Sequence, residues 1–265
     1  MGFQYRLFTA TWLPLRRKMN KKLCVQNENM KLSALFGIEQ PDFVTITGGG
    51  GKTALLTCLG SELKNKGKTL LTTTTKMHYP DDFEGEVIVT ESYRELLSRL
   101  VKQHCNLYYF AERCIEDHKV KGAPPELLDS LFQTLADWVI LNEGDGAGGK
   151  PYKIYREWEP VIPQNTTKLI HVIGCELLNE PITDMNLHRC PQELKGKRFD
   201  LDLFRESMEW FVSDKLKSFE VPKFLLVNKA DNGNKMKAEI LCEAAKPYFD
   251  GCIAASLRER NWYLC

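Results

Sequence analysis

The run Phe43-Val44-Thr45-Ile46-Thr47-Gly48-Gly49-Gly50-Gly51-Lys52-Thr53 carries the residue types that a bound anion requires, in a usable order. A short β-rich stretch delivers four glycines, a lysine and a threonine into what reads as a helix. Glycines without a Cβ let backbone N–H groups converge on an anion, and the helix N-terminus adds the positive end of its dipole. Lys52 supplies a mobile cation and Thr53 a hydroxyl for Mg²⁺. The chemistry implied is binding of a nucleoside triphosphate. A bare strand-to-helix turn would have no reason to place lysine and threonine directly after the last glycine. Ile46 stands where the usual phosphate loop has a further glycine, so what remains is the shorter Gly-x-x-Gly-Lys-Thr.

Three further segments follow predicted strands and carry polar groups that could complete such a site. Thr72-Thr73-Thr74-Thr75-Lys76 presents hydroxyls and a cation, with Thr74, Thr75 and Lys76 as candidate phosphate or substrate contacts. Threonine also favours strand geometry, so some of these side chains are expected to face away from any ligand. The strand at 138–142 runs into Asn142-Glu143-Gly144-Asp145-Gly146-Ala147-Gly148-Gly149-Lys150, and carboxylates at such a strand end are where P-loop proteins hold Mg²⁺. Glu143 and Asp145 are therefore candidate metal ligands with Thr53. Together with Lys52 they are also candidate catalytic groups, one carboxylate on the metal and the other orienting an attacking water. Lys150 lies beside them. After the strand at 224–227 comes Asn228-Lys229-Ala230-Asp231, the Asn-Lys-x-Asp pattern that reads guanine. A carboxylate accepts from the guanine N1–H and amino group together, and adenine has no such donor pair. The plain alternative is a polar turn with Asp231 or Asn232 as a helix cap. The bound nucleotide is thus GTP or ATP, with GTP preferred if Asp231 reads the base.

Two isolated groups are weaker candidates. The proline-bounded stretch Glu157-Trp158-Glu159-Pro160-Val161-Ile162-Pro163 is a rigid connector that could carry Glu159 toward the site, and His188-Arg189 could place Arg189 on a phosphate.

The elements that must position these residues are legible in outline. Strands are predicted at 43–47, 70–75, 87–90, 107–110, 138–142, 169–173, 224–227 and 252–255, with helices near 52–66, 92–103, 125–136, 201–217 and 235–246. This alternation predicts an α/β fold, a doubly wound and mostly parallel sheet whose ligands collect at the strands' carboxyl ends. Residues 31–265 read as one such domain. Residues 1–30, with methionines at 1, 19 and 30 and the basic clusters Arg16-Arg17-Lys18 and Lys21-Lys22, read as an appended segment. It is either an upstream start or a basic amphipathic arm.

Composition narrows the partners. The chain has 265 residues, 43% hydrophobic and 27% charged, and contains no apolar run of the roughly 18–20 residues that span a bilayer. Residues 1–31 hold seven of the 36 Lys and Arg but one of the 35 Asp and Glu, leaving 29 basic against 34 acidic residues in the body. That balance argues against nucleic acid as the main partner. Nine scattered cysteines without a Cys-x-x-Cys pair fit neither a disulfide framework nor a zinc ribbon, and point to a reducing cytoplasm.

The ordered set of motifs resembles the YqeC family, accessory proteins of selenium-dependent molybdenum hydroxylases. The resemblance runs through Val44–Met77, Glu143-Gly144-Asp145-Gly146-Ala147, Glu159-Pro160-Val161-Ile162-Pro163, His188-Arg189 and Asn228-Lys229-Ala230-Asp231, and leaves out residues 1–30. Gly144 stands where that family commonly has alanine, and Cys190 where proline often follows His-Arg. The resemblance implies a cytoplasmic P-loop NTPase-like protein acting in maturation of the selenium- and molybdenum-containing cofactor, with a molybdenum hydroxylase or a cofactor-maturation protein as partner. Two other functions fit the same residues. The compact loop also occurs in ATP-dependent ligases of the Mur type, so a kinase or ligase is possible, with Lys76, Lys150 and Arg189 on an acceptor. A non-catalytic switch would bind nucleotide to alter its grip on a protein.

Overall fold

The computed structural model describes residues 30–265 apart from 103 and 117, together with the backbone of residues 25–26. The segment expected to be appended at 1–30 therefore lies almost entirely outside the described residues.

Ten strands form one sheet. In spatial order they are β1 (Val25–Gln26), β15 (Asn261–Leu264), β14 (Gly251–Ser256), β13 (Lys223–Asn228), β11 (Lys168–Gly174), β2 (Asp42–Gly48), β9 (Val139–Glu143), β3 (Thr69–Thr73), β6 (Leu107–Ala111) and β5 (Glu86–Val89). The eight from β14 to β5 are parallel, and β15 and β1 add an antiparallel edge. Three short strands, β4 (Lys76–His78), β8 (Lys119–Lys121) and β7 (Arg113–Ile115), make a separate antiparallel sheet, while β10 (Tyr152–Lys153) pairs with β12 (Leu187–His188). None of these small pairings was readable from sequence, because two or three residues are too few to show a period.

Parallel strands covered on both faces must be apolar throughout, and β2 is buried at all seven positions. Alternate residues feed opposite layers. Val44 and Ile46 pack on one face with Leu55, Leu56, Leu59 and Leu63 of α2 (Lys52–Leu63) and with α1 (Leu32–Leu35). On the other face Phe43 and Ile140 join Leu96 and Leu100 of α3 (Tyr93–Val101) and Leu128 and Leu131 of α4 (Pro125–Thr134). Farther along that face Leu225, Val227 and Ala254 meet α5 (Leu201–Trp210) and α6 (Lys235–Ala245). The architecture is the expected α/β fold with a doubly wound, mostly parallel sheet.

Two helix starts show why the sequence breaks where it does. The Ser92 hydroxyl accepts the Glu95 N–H at 3.2 Å to cap α3, and Asp200 accepts the Leu203 N–H at 2.9 Å to cap α5. The predicted helix at 201–217 is shorter than expected, because after Trp210 the backbone widens into a π-helical turn over Phe211–Lys215.

Register decides which residues share the site edge. Ile46 lies opposite Glu143, Glu143 opposite Thr73, and Gly174 opposite Asn228. The ends of β2, β9, β3, β11 and β13 are thereby level, and every post-strand motif leaves the sheet on the same rim. Because Leu59 is fully buried between α2 and the sheet, Leu59→Ala is expected to cost about 2–5 kcal/mol, read as a lowered urea midpoint with unchanged slope.

Candidate nucleotide-binding site

The glycine loop is tight against its neighbours. Gly48 has φ +101° and a Cβ there would sit 2.1 Å from the Val172 carbonyl; Gly50 has φ +69° and its Cβ would sit 2.3 Å from the Gly174 nitrogen. Side chains are excluded at both positions, by conformation as well as space. The amides behave differently from the sequence expectation. Gly48 N–H is bound by Asp145 Oδ2 at 2.9 Å, Gly49 N–H by the Val172 carbonyl at 2.8 Å, and Gly50 N–H by the Lys150 carbonyl at 2.8 Å. These three glycines serve close packing. The donors free of intrahelical partners are those of the first turn of α2, at Lys52, Thr53 and Ala54, where the helix dipole also points.

Glu143 and Asp145, predicted as a pair, occupy different places. Glu143 accepts the Thr53 hydroxyl at 2.9 Å and faces a cleft of about 980 Å³, which the loop also lines. Asp145 is fully buried behind Gly48 and does not reach the cleft. The two-residue spacing that should have put both carboxylates on one side fails, because β9 ends at Glu143 and the chain beyond Gly144 carries Asp145 behind the loop, where it accepts the Gly48 N–H. Asp145 therefore has no access to a metal or to an attacking water, contrary to the expectation.

Lys52 lies between them. Its ammonium donates to the Gly48 carbonyl at 2.6 Å, pairs with Asp145 Oδ1 at 3.0 Å and stands 3.8 Å from Glu143. Burial opposes its charge, but Asp145 and Glu143 outweigh burial and hold its pKa above the usual value. Burial raises the Glu143 pKa, with Lys52 and the Thr53 hydroxyl pulling the other way. Among the described residues no three His, Cys, Asp or Glu side chains are grouped so as to hold a metal ion. One carboxylate and one hydroxyl at the mouth of the glycine loop would nevertheless suit Mg²⁺, which keeps several waters in its coordination shell.

The Asn228-Lys229-Ala230-Asp231 segment reaches the same cleft. Asn228 Nδ2 donates to the Gly50 carbonyl at 2.7 Å, and its Oδ1 accepts the Leu257 N–H at 3.1 Å. Lys229 takes φ +66° and ion-pairs with Glu176. Asp231 accepts the Ser256 hydroxyl at 2.8 Å and lines the cleft. It is not the cap of α6, whose N-cap residue is Asn234.

The remaining candidates divide. Lys76, on β4, lines the cleft opposite the loop, as does Lys150, whose ammonium donates to the Asp184 carbonyl. Thr74 donates to the Val161 carbonyl at 2.8 Å, and the Thr75 N–H bonds the Thr73 hydroxyl, so both hold local structure. Glu159, His188 and Arg189 lie outside the cleft. Glu159 and Arg189 form a close ion pair with each other, and His188 sits near Gly148 on β12. Burial would raise the Glu159 pKa, but the Arg189 guanidinium, the Arg156 N–H and Lys153 hold it at about 2.

Two buried groups escaped the sequence reading. Lys153 stands 3.7 Å from Asp145 and 3.3 Å from Glu159, with its side chain 1% exposed. His171 sits behind the loop, bonded to the Thr47 hydroxyl at 3.1 Å, and burial lowers its pKa to about 3, so it is neutral. Neither belongs to a motif, and only the fold shows that they are buried.

A sequence model of the family described as YqeC protein matches residues 44–191. The uncharacterized protein YqeC of Escherichia coli (strain K12) is 32% identical over 160 residues, covering 58% of this chain and 60% of its own length. This chain thus spans about three-fifths of that relative. Among solved structures, chloroplast FtsY from Physcomitrella patens aligns with a TM-score of 0.44 at 12% identity, over 87% of this chain and 64% of that one. FtsY, the signal recognition particle receptor, from Elizabethkingia anophelis aligns at 0.39 with 11% identity, over 83% and 60%. These structural likenesses are too loose to bear on ligand or activity.

The Glu159 pairing makes a pH prediction. A carboxyl depressed from 4.5 to about 2 stabilises the fold fully above pH 4.5, and that contribution is lost as pH falls toward 2. Arg189→Ala is expected to lower stability by roughly 1–3 kcal/mol near neutral pH. In urea titrations across pH, the gap from the native protein should close between about pH 4.5 and 2.

Proposed function

The chain belongs to the YqeC family, whose sequence model covers more than half of it, and from that premise we propose that it is a Mg²⁺-dependent nucleoside triphosphatase with a preference for GTP. The observation that carries this reading is the bond from Asn228 to the Gly50 carbonyl. It fastens the segment that would read a base to the loop that would hold the phosphates, and both face one cleft.

In this reading the first-turn amides of α2 and the Lys52 ammonium bind the phosphate oxygens. Thr53 and Glu143 would hold Mg²⁺, which would supply neutralisation of the phosphate charge. Asp231, fixed by Ser256, accepts from the guanine N1–H and amino group, while the Lys229 stem covers the ring. The released energy would serve maturation of the selenium- and molybdenum-containing cofactor of a client molybdenum hydroxylase, a role that rests on the family resemblance.

A second reading has one observation in its favour. The cleft continues past the loop to Lys76, His78 and Lys119 on the small β4-β8-β7 sheet, a cationic wall suited to an anionic acceptor. A kinase or ligase would show turnover only with that second substrate present.

Calorimetry of GTP and ATP with Mg²⁺ tests the assignment. Lys52→Ala should weaken both nucleotides about 10- to 100-fold, the scale of a charge-assisted hydrogen bond. Asp231→Ala should weaken GTP by a similar factor and leave ATP unchanged. Equal loss of both nucleotides in Asp231→Ala would remove the guanine assignment, and native affinity in Lys52→Ala would remove the phosphate site.

A further inference from the structure

Behind the loop, charged groups alternate in sign along a row that is buried from Glu143 through Lys52, Asp145 and Lys153 to Glu159 and ends at the half-buried Arg189. Three carboxylates face three cations. Lys52 cannot bind a phosphate and stay 3.0 Å from Asp145 in its present position, and Asp145 has no exposure through which water could replace it. Removing one member of a buried ion pair ordinarily costs several kcal/mol. The Gly48 N–H and the Tyr155 hydroxyl beside Asp145 carry no full charge, and a second cation would offset that cost.

Lys153 is that cation. It sits on the far side of Asp145 from Lys52, at 3.7 Å from Oδ2, the oxygen that also accepts the Gly48 N–H. It is held there by the Gly146 carbonyl at 2.9 Å and by the Tyr155 ring, whose centroid lies 4.6 Å away. Its other partner, Glu159, keeps Arg189 when Lys153 moves toward Asp145. After Lys52 departs, the row divides into Asp145 with Lys153 and Glu159 with Arg189. Glu143 is left toward the cleft.

We propose that Lys153 is a positioning residue for Lys52: it is the reserve counter-ion of Asp145, which lets the phosphate-binding lysine leave its resting ion pair. Occupancy of the loop is thereby transmitted to Glu159 and Arg189, on segments outside the cleft. This rests on the reading of the loop as a phosphate site.

The test is calorimetric binding of GTP and ATP to the full chain in native, Lys52→Ala, Lys153→Met, Asp145→Asn and Asp145→Asn/Lys153→Met forms, each checked for native circular dichroism. Lys153→Met should bind about 10- to 100-fold more weakly, because Asp145 then depends on Lys52 alone. The double variant should return to within about threefold of native affinity, since the buried carboxylate that held Lys52 at 3.0 Å is gone and only Glu143, on the cleft side, stays beside it. Damage at Lys153 that is unrelated to Asp145 would not be repaired by the second substitution. Asp145→Asn keeps an oxygen for the Gly48 N–H and should bind more tightly than native. Native affinity in Lys153→Met, or a double variant as weak as the single, overturns the proposal. If Lys153→Met does not fold, unchanged or weaker binding in Asp145→Asn overturns it. Should the native chain bind neither nucleotide, the phosphate-site reading falls and this proposal with it. Loss in Lys52→Ala combined with native affinity in Lys153→Met rejects this proposal alone.

Discussion

Asp145 is a fully buried carboxylate at the point where the loop after β2 meets the loop after β9, and the arrangement of the site follows from satisfying it. An unpaired charge in that position would be prohibitive, so the backbone of Gly48 and the ammonium groups of Lys52 and Lys153 converge on it. That convergence fixes the start of the glycine loop, sets the position of Lys52 and draws β10 beneath the loop. Glu159 and Arg189 then neutralise what remains. The site is held by a buried electrostatic row whose members come from four separate stretches of chain.

The glycines belong to the same economy of space. The chain between β2 and α2 is wedged between the ends of β11 and β13 and the turn at Lys150. A loop with side chains could not come close enough for Gly48 to reach Asp145 or for Asn228 to reach Gly50. The shortened front of the loop, with Ile46 in place of a glycine, is consistent with this: Ile46 is still a strand residue, paired with Glu143 and packed beneath α2. The strand persists to the last moment and the turn is made in fewer residues.

The parallel sheet supplies level strand ends, and the loops supply chemistry. On one side of β2 lies β9 with Glu143, and on the other lie β11 and β13, ending at Gly174 and Asn228. The cleft therefore has a carboxylate and cations toward β9 and the small β4-β8-β7 sheet, and the Asn228-Lys229-Ala230-Asp231 segment toward β13. A nucleotide lying along it would span the crevice at the point where successive connections run to opposite sides of the sheet.

Much of this was written in the sequence because it depends on short-range rules. Hydrophobic runs and helical spacing located all eight parallel strands and the five longer helices, and Gly-Gly-Gly-Gly-Lys-Thr, Glu-x-Asp and Asn-Lys-x-Asp were each found where a strand ends. Local pattern could not say which way a side chain turns once the chain leaves the sheet. Glu143 and Asp145 looked like a matched pair, yet one faces the cleft and the other is sealed behind Gly48, because the backbone rises out of the strand between them. Lys153 fell outside every predicted element, and His171 looked like an ordinary polar residue of the predicted strand at 169–173. Only the packing of distant segments removes water from them, and burial, unlike periodicity, is a property of the whole chain.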